Sequence, residues 1–236
     1  MNETAATQVD HLQKRYNGEF DYPLADTYRL QKAISFIGTG KRVLDVGSYD
    51  GQLSAQIQSA GNEVVSMDAS SDALQVAQKR GLSTIQGDAA QRWPVDTDSF
   101  DTVFAGEIIE HIVDTDFFLQ ECRRVIRPHG DLIITTPNLA SLGRRLLLLL
   151  GFNPMTDTAL RANQAGHVRY FVTESIRELL RENGFRVKLI SGDFISFSNS
   201  GRGSAKLANL FPRLSRSLII HAVAVPSEPI IVGKPR

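Results

Sequence analysis

One alternation runs through the chain from residue 42 to residue 136: short apolar runs of strand length, each followed by a longer stretch. The runs are Arg42–Val46, Glu63–Met67, Ser83–Gln86, Phe100–Ala105 and Asp131–Thr136. Between them, Leu53–Ala60, Ser71–Arg80 and Asp116–Ile126 carry apolar residues at helical spacing. Strand, helix, strand at this interval predicts βαβ units, and hence an α/β fold with a parallel sheet covered on both faces. Pro128-His129-Gly130 marks a turn before the fifth strand. After Pro137 the pattern changes. Leu139–Leu150 is helical and leucine-rich, and residues 151–169 read as a loop or lid. Thr173–Asn183 is a helix with Thr173 as N-cap and Asn183-Gly184 as C-cap. Phe185–Ile190 is a sixth strand, residues 198–206 are a Ser/Gly-rich linker, and a last strand comes from Leu214–Val225 or Ile230–Val232. The first 30 residues are expected to be helices over the sheet edge or the site.

At 236 residues the chain suits one domain whose core needs no staples. Cys122 is its one cysteine, which excludes a disulfide framework and a cysteine-rich zinc site. The polar start carries no secretory signal, and the longest apolar stretches fall far short of the ~20 residues of a spanning helix. A cytoplasmic protein is expected. Lys+Arg and Asp+Glu each number 26, which argues against bulk electrostatic binding to nucleic acid. The balance hides an asymmetry: residues 1–160 carry 14 basic and 21 acidic side chains, and residues 161–236 carry 12 and 5. Two solvated faces would account for it. So would a basic C-terminal third facing an anionic substrate, a phosphate or a membrane surface, so peripheral membrane contact stays open.

The most informative stretch is Val43-Leu44-Asp45-Val46-Gly47-Ser48-Tyr49-Asp50-Gly51. A strand ends beyond an acid, and a glycine-containing turn opens a helix. Open α/β sheets bind ligands outside the carboxyl ends of their strands. Asp68 and Asp88 follow at the next two strand ends, and an acid at the second is placed to bond vicinal ribose hydroxyls. Three successive acids favour a ligand with hydroxyls and amines over a pyrophosphate. Neither G-x-G-x-x-G nor a P-loop occurs, which disfavours dinucleotide and nucleotide triphosphate readings.

On these residues the chain resembles the class I S-adenosylmethionine-dependent methyltransferases, in their small-molecule branch, over residues 40–192. VLDVGSYDG is similar to the family's first motif, usually D-x-G-x-G-x-G, with Tyr49 at the middle glycine. VVSMDAS resembles its ribose-binding segment and QGDAA its adenine-contacting segment. FDTVFAGEIIEHI and RVIRPHGDLIITTPN resemble its fourth strand, following helix and fifth strand, and HVRYFVTESIRELLRENGF a late segment of this branch. The resemblance implies a Rossmann-like, doubly wound, mostly parallel seven-stranded sheet with helices on both faces. The whole chain, 1–236, would be one methyltransferase domain with its cofactor-binding core at about 40–137. S-adenosylmethionine would be the cofactor. Asp45 and Gly47 would lie by its amino acid part, with Ser48, Tyr49 and Gly51 in the same loop. Asp68 and Ala69 would meet the ribose side, Asp88 and Ala89 the adenine, and Glu107 the methionine end.

Methyl transfer from a sulfonium mainly asks the protein to position the acceptor, and a hydroxyl acceptor gains from a base. The catalytic candidates are Glu107, His111 and His167, with Glu110 beside them. Glu107–Glu110 and Glu107–His111 would share a face if this segment is helical. Glu107, Glu110, His111 and His167 also make a plausible divalent metal set. E-x-x-E-H with a later His resembles the metal site of small-RNA 3′-end 2′-O-methyltransferases, and E-x-x-E-H also resembles ubiquinone-pathway O-methyltransferases. Capping or packing at the start of a helix explains His111 equally well, and a loop histidine bonded to backbone explains His167. Cys122 and His129 read as structural, and Trp93 as either an adenine wall or a packing residue. The expected acceptor is a small molecule with an oxygen nucleophile, a metabolite or a lipid or sugar intermediate. The alternatives are metal-assisted RNA 3′-end methylation and a non-catalytic cofactor-binding protein. Residues 1–30, 139–170 and 195–218 are the expected acceptor elements. Two of them mix basic residues with leucines.

Overall fold

A computed structural model describes residues 24–154, 166–196 and 203–225. In chain order its elements are α1 (Leu24–Ile37), β1 (Arg42–Val46), α2 (Gln52–Ser59), β2 (Glu63–Asp68), α3 (Ser71–Lys79), β3 (Ser83–Gln86), β4 (Phe100–Gly106) and α4 (Thr115–Val125). These are followed by β5 (Ile126–Pro137), α5 (Leu142–Leu149), α6 (Thr173–Glu182), β6 (Phe185–Gly192), β7 (Ile195–Ser196), β8 (Gly203–Ser204), α7 (Ala205–Leu210) and β9 (Ser217–Ala224). Seven strands form one sheet in the order β3-β2-β1-β4-β5-β9-β6, and β7 and β8 pair separately. β1 to β5 pair in parallel, while β9 runs antiparallel to both neighbours. The α/β doubly wound sheet expected from the sequence is the one observed.

Each central strand is apolar on both sides because each side meets helices. Val43 and Val64 pack with Ile57 of α2 and with Ala33 and Ile37 of α1 on one face. Leu44, Val46, Val65 and Met67 pack on the other, in a core that takes in Phe118 and Cys122 of α4 and Ile176 and Leu180 of α6. Strand order reverses between β1 and β4, which opens a crevice at their carboxyl ends.

Two expectations change in detail, and a third is narrowed. The Pro128-His129-Gly130 turn lies within β5, where pairing steps from Phe100–Ile126 to Thr102–Asp131 and His129 takes φ 64°. Thr173 is the first residue of α6 and Val172 its N-cap, with the Val172 N–H donating to Ser175 Oγ at 3.0 Å. The last strand is Ser217–Ala224, inserted between β5 and β6. Ile230–Val232 lies outside the described residues, as do most of residues 1–30 and much of the 151–169 loop and the 198–206 linker. No helix among the described residues is long and apolar enough to cross a membrane.

Candidate active site

The chain leaves β1 by crossing to β2: the N–H groups of Gly47 and Ser48 donate to the Met67 carbonyl at 2.8 and 3.1 Å. It then takes positive φ at alternate residues, 74° at Gly47, 51° at Tyr49 and 74° at Gly51. At Gly47 a Cβ would stand 2.9 Å from Ile108 Cδ1. At Gly51, the N-cap of α2, it would stand 2.5 Å from Leu82 Cδ1 and 2.7 Å from Ala77 Cβ. These two glycines therefore set both the turn and the close approach of its neighbours. Tyr49 adopts the same left-handed backbone with a side chain, at a cost of about 1–2 kcal/mol. A β-branched residue suits that conformation worse. Tyr49→Val is expected to lower stability by about 1–2 kcal/mol and Tyr49→Gly to leave it unchanged or raised, as read by thermal unfolding.

The three strand-end acids differ in their surroundings. Asp68 receives two backbone N–H groups, from Tyr49 at 2.8 Å on Oδ2 and from Ser70 at 2.8 Å on Oδ1. Its carboxylate thus ties the glycine turn to the end of β2. Asp45 is buried under the turn, where its Oδ2 accepts from Ser54 Oγ at 2.6 Å, and Ser54 Oγ accepts from Ser66 Oγ at 2.7 Å. Burial pushes the Asp45 carboxyl from 3.8 up to about 7, the Ser54 bond pulls it down, and Asp68 adds to the rise. Asp88 is exposed and closes a local turn, accepting from Ala90 N at 2.8 Å and Gln91 Nε2 at 3.1 Å. Ala69 is exposed, and the Ala89 carbonyl accepts the Trp93 indole N–H at 3.3 Å. Trp93 is itself 2% exposed and packs edge-on against Phe118, so its ring belongs to the core.

The raised Asp45 carboxyl has a thermodynamic consequence. A carboxyl whose folded pKa exceeds its unfolded value contributes stability that is complete below the unfolded value and is lost as pH rises through the folded one. For Asp45 that window runs from about 4 to about 7. Between those limits the wild type is expected to lose on the order of 4 kcal/mol relative to Asp45→Asn, measured by urea unfolding of both at each pH. A wild-type profile parallel to the variant's would overturn this.

At the end of β4 the backbone turns sharply. Glu107 takes φ 54°, and its N–H donates to the Thr135 carbonyl at 2.9 Å. Its carboxylate lies 3.3 Å from Arg29 of α1. The helical premise for E-x-x-E-H does not hold, because only Ile109–His111 forms a single 3-10 turn. Tertiary docking gathers the cluster instead. The N–H groups of Val168 and Arg169 donate to the Glu110 carbonyl at 2.9 and 3.0 Å. That contact carries His167 to Glu110, with Nε2 4.0 Å from Oε1. Glu110 is 1% exposed, and its Oε2 accepts from Thr136 Oγ1 at 3.0 Å. Burial first, then the neighbouring Glu107, pushes its carboxyl up to about 8. The His111 and His167 rings meet edge-on with centroids 4.9 Å apart. One donor atom from each of Glu110, His111 and His167 falls within 4.8 Å of the others. Glu107, expected in the same set, faces Arg29 and is not part of that group. A cavity of about 80 Å³ beside this strand end is lined by Thr27, Arg29, Leu30, Leu53, Glu107 and Thr135. Arg29 was not legible in the sequence, since nothing in α1 marks it apart from Lys32 until the helix is packed.

A family model described as a methyltransferase domain matches residues 20–189. The chain belongs to the class I S-adenosylmethionine-dependent methyltransferases. A ubiquinone biosynthesis O-methyltransferase of Actinobacillus pleuropneumoniae is 31% identical over 172 residues, covering 64% of this chain and 72% of that one. The mitochondrial ubiquinone biosynthesis O-methyltransferase of Homo sapiens is 27% identical over 169 residues, 65% of this chain and 43% of that one. Among solved structures, the Burkholderia thailandensis 1,6-didemethyltoxoflavin-N1-methyltransferase, with its didemethyltoxoflavin and S-adenosylhomocysteine bound, superposes with a TM-score of 0.59. The identity there is 18%, over 95% of this chain and 90% of that one. This methyltransferase is thus an enzyme that uses S-adenosylmethionine as methyl donor.

Around the mouth of the methyltransferase crevice lie the segments that follow β5 and precede β9. Asn138 fastens them together: its Nδ2 donates to the carbonyls of Arg213 at 3.1 Å and Ser215 at 2.9 Å. Leu139 N donates to Phe171 O at 2.9 Å, so the start of α6 joins the same rim.

Proposed function

We propose that this enzyme transfers the methyl group to an oxygen nucleophile on a small-molecule acceptor. The observation that carries the reading is the buried Glu110 carboxylate backing His167 and His111 at the end of β4. The names of the related ubiquinone biosynthesis O-methyltransferases support oxygen as the acceptor atom. In this reading the whole chain is one domain. The cofactor's ribose hydroxyls bond Asp68, its amino acid part lies by Asp45 and the turn Gly47, Ser48, Tyr49 and Gly51, and its adenine lies by Ala69, Asp88 and Ala89. Arg29 and Glu107 receive the carboxylate and ammonium of its methionine end. The fit is supported by the left-handed turn from Gly47 to Gly51 at the carboxyl end of β1 and by the carboxylate at the end of β2.

When bound, the donor supplies an electrophilic methyl on a positively charged sulfur, displaced in line. The chain's part is alignment and proton removal. His167 takes the hydroxyl proton as the new C–O bond forms and the C–S bond breaks. Glu110, held largely protonated by burial, is drawn to its ionised form by the imidazolium that develops beside it, so the two charges stabilise each other. The Cys122 free thiol, buried in the core, fits a cytoplasmic setting.

The test is a transfer assay that follows S-adenosylhomocysteine formation with a panel of phenols, enols and alcohols beside matched amines. Turnover with hydroxyl acceptors, lost in His167→Ala, supports the reading. Turnover confined to amines refutes it. A second reading has its own support: the converging donor atoms of Glu110, His111 and His167 suit a divalent ion that would bind the acceptor oxygen. Activity abolished by EDTA and restored by Mg²⁺ or Mn²⁺ would favour it, and turnover on RNA 3′ ends would extend it to metal-assisted 2′-O-methylation.

A further inference from the structure

α5 is an eight-residue helix, and none of its residues is buried. Leu146, Leu147, Leu148, Leu149, Leu150 and Phe152 are all exposed, Leu149 at 81% and Leu150 at 70%. Leu207, Leu210 and Phe211 are exposed nearby. A groove lined by Arg145, Leu210, Phe211, Pro212 and Arg213 runs between Arg145 of α5 and the segment after α7, and Arg145 Nη2 donates to the Arg213 carbonyl across it at 3.4 Å. Single exposed leucines need no explanation, but a run of six exposed large apolar side chains within seven residues does.

Its charge is one-sided. The described segments 132–154, 194–196 and 203–225 contain no aspartate or glutamate, yet they carry Arg144, Arg145, Lys206, Arg213 and Arg216. Arg213 pairs with Glu174 and Arg216 with Asp193, both from outside these segments. Arg145 is held by main-chain carbonyls, those of Ala140 and Arg213, which orient the guanidinium and leave its charge intact. Lys206 is exposed on α7 beside Leu207.

We propose that this face docks on an anionic lipid surface, with the leucines entering the acyl boundary and the basic groups meeting headgroup phosphates. Apolar side chains mixed with basic ones suit an interface that is hydrocarbon below and phosphate above. A second copy suits it less, because a two-fold contact sets the same net basic patch against itself, Arg145 and Lys206 included. The face lies at the end of the sheet that holds Glu110, since it follows β5 and precedes β9. Docking would therefore turn the crevice mouth toward the membrane. The inference goes beyond the O-methylation reading and does not rest on it, because lipid binding requires neither acceptor nor donor.

The test is flotation of the full chain with vesicles of phosphatidylcholine alone or phosphatidylcholine with phosphatidylglycerol. The protein is expected to float with the anionic vesicles and to be partly released by salt. Leu148→Glu/Leu149→Glu is expected to lower partitioning about tenfold or more. Arg145→Gln/Lys206→Gln is expected to lower it about fivefold per charge. Unchanged S-adenosylhomocysteine affinity in each variant shows that the fold is intact. Wild-type protein that stays soluble with both vesicle types overturns the proposal, as does equal flotation with both. A lipid-free dimer that Leu148→Glu/Leu149→Glu dissociates assigns the face to a second copy and overturns it too.

Discussion

Asp68→Ala is expected to weaken S-adenosylhomocysteine binding by at least about 100-fold, measured by isothermal titration. Hydrogen bonds to a charged acceptor are worth about 1.5–3 kcal/mol each, and the proposed ribose contact makes two. The same carboxylate also accepts the Tyr49 and Ser70 N–H groups, so its removal loosens the glycine turn as well. The two contributions separate in Asp68→Asn. That side chain keeps one acceptor oxygen near the turn but loses the charge and turns a donor toward one former partner. Its loss of affinity should fall between those of the wild type and the alanine variant, with a smaller drop in melting temperature than alanine causes. An alanine variant that binds within about threefold of the wild type would remove Asp68 from the cofactor site.

His167→Ala is expected to lower kcat by about 10²–10⁴-fold while S-adenosylhomocysteine affinity stays within about threefold. General base assistance accounts for that range, and His167 is placed against acceptor rather than donor in the proposed reading. Glu110→Gln should lower kcat in the same direction by less, since the imidazole remains and loses only its ionisable partner. Steady-state kinetics and titration on the same preparations check both. If His167→Ala keeps more than a third of the wild-type kcat, the base lies elsewhere. Metal ligation predicts a different split, in which both variants show a shifted Mn²⁺ requirement.

Much of this site is local in the chain. The turn from Gly47 to Gly51 must reverse direction between a strand and a helix, and residues fit for positive φ are needed where it does so. Tyr49 reads as a misfit at a glycine position, and the structure explains it by giving it the left-handed backbone of that position. Asp68 was legible because a strand end in a parallel sheet always faces the crevice. Trp93 was not, because its core location depends on Phe118 of a helix that follows it in the chain.

The Glu110–His111–His167 cluster shows the boundary most clearly. Spacing suggested that Glu107, Glu110 and His111 share a helix face, and the backbone there is not a helix. Glu107 goes to Arg29, and His167 arrives through two main-chain bonds to Glu110. Neither partner is encoded by proximity in sequence. α5 is a similar case: basic residues mixed with leucines suit either an amphiphilic anionic acceptor or a lid helix with a buried leucine stripe, and only packing decides that Leu146 to Leu149 stay exposed.

The sequence by itself determined the sheet, its parallel core strands and the turn that opens the crevice, because those depend on hydrophobic period and on φ, which act over a few residues. The tertiary structure decided which carboxyls burial raises, Asp45 to about 7 and Glu110 to about 8, which arginine meets Glu107 and which leucines stay in water. Desolvation and charge pairing depend on what lies within a few ångströms in space, and a chain brings such neighbours together only when it folds.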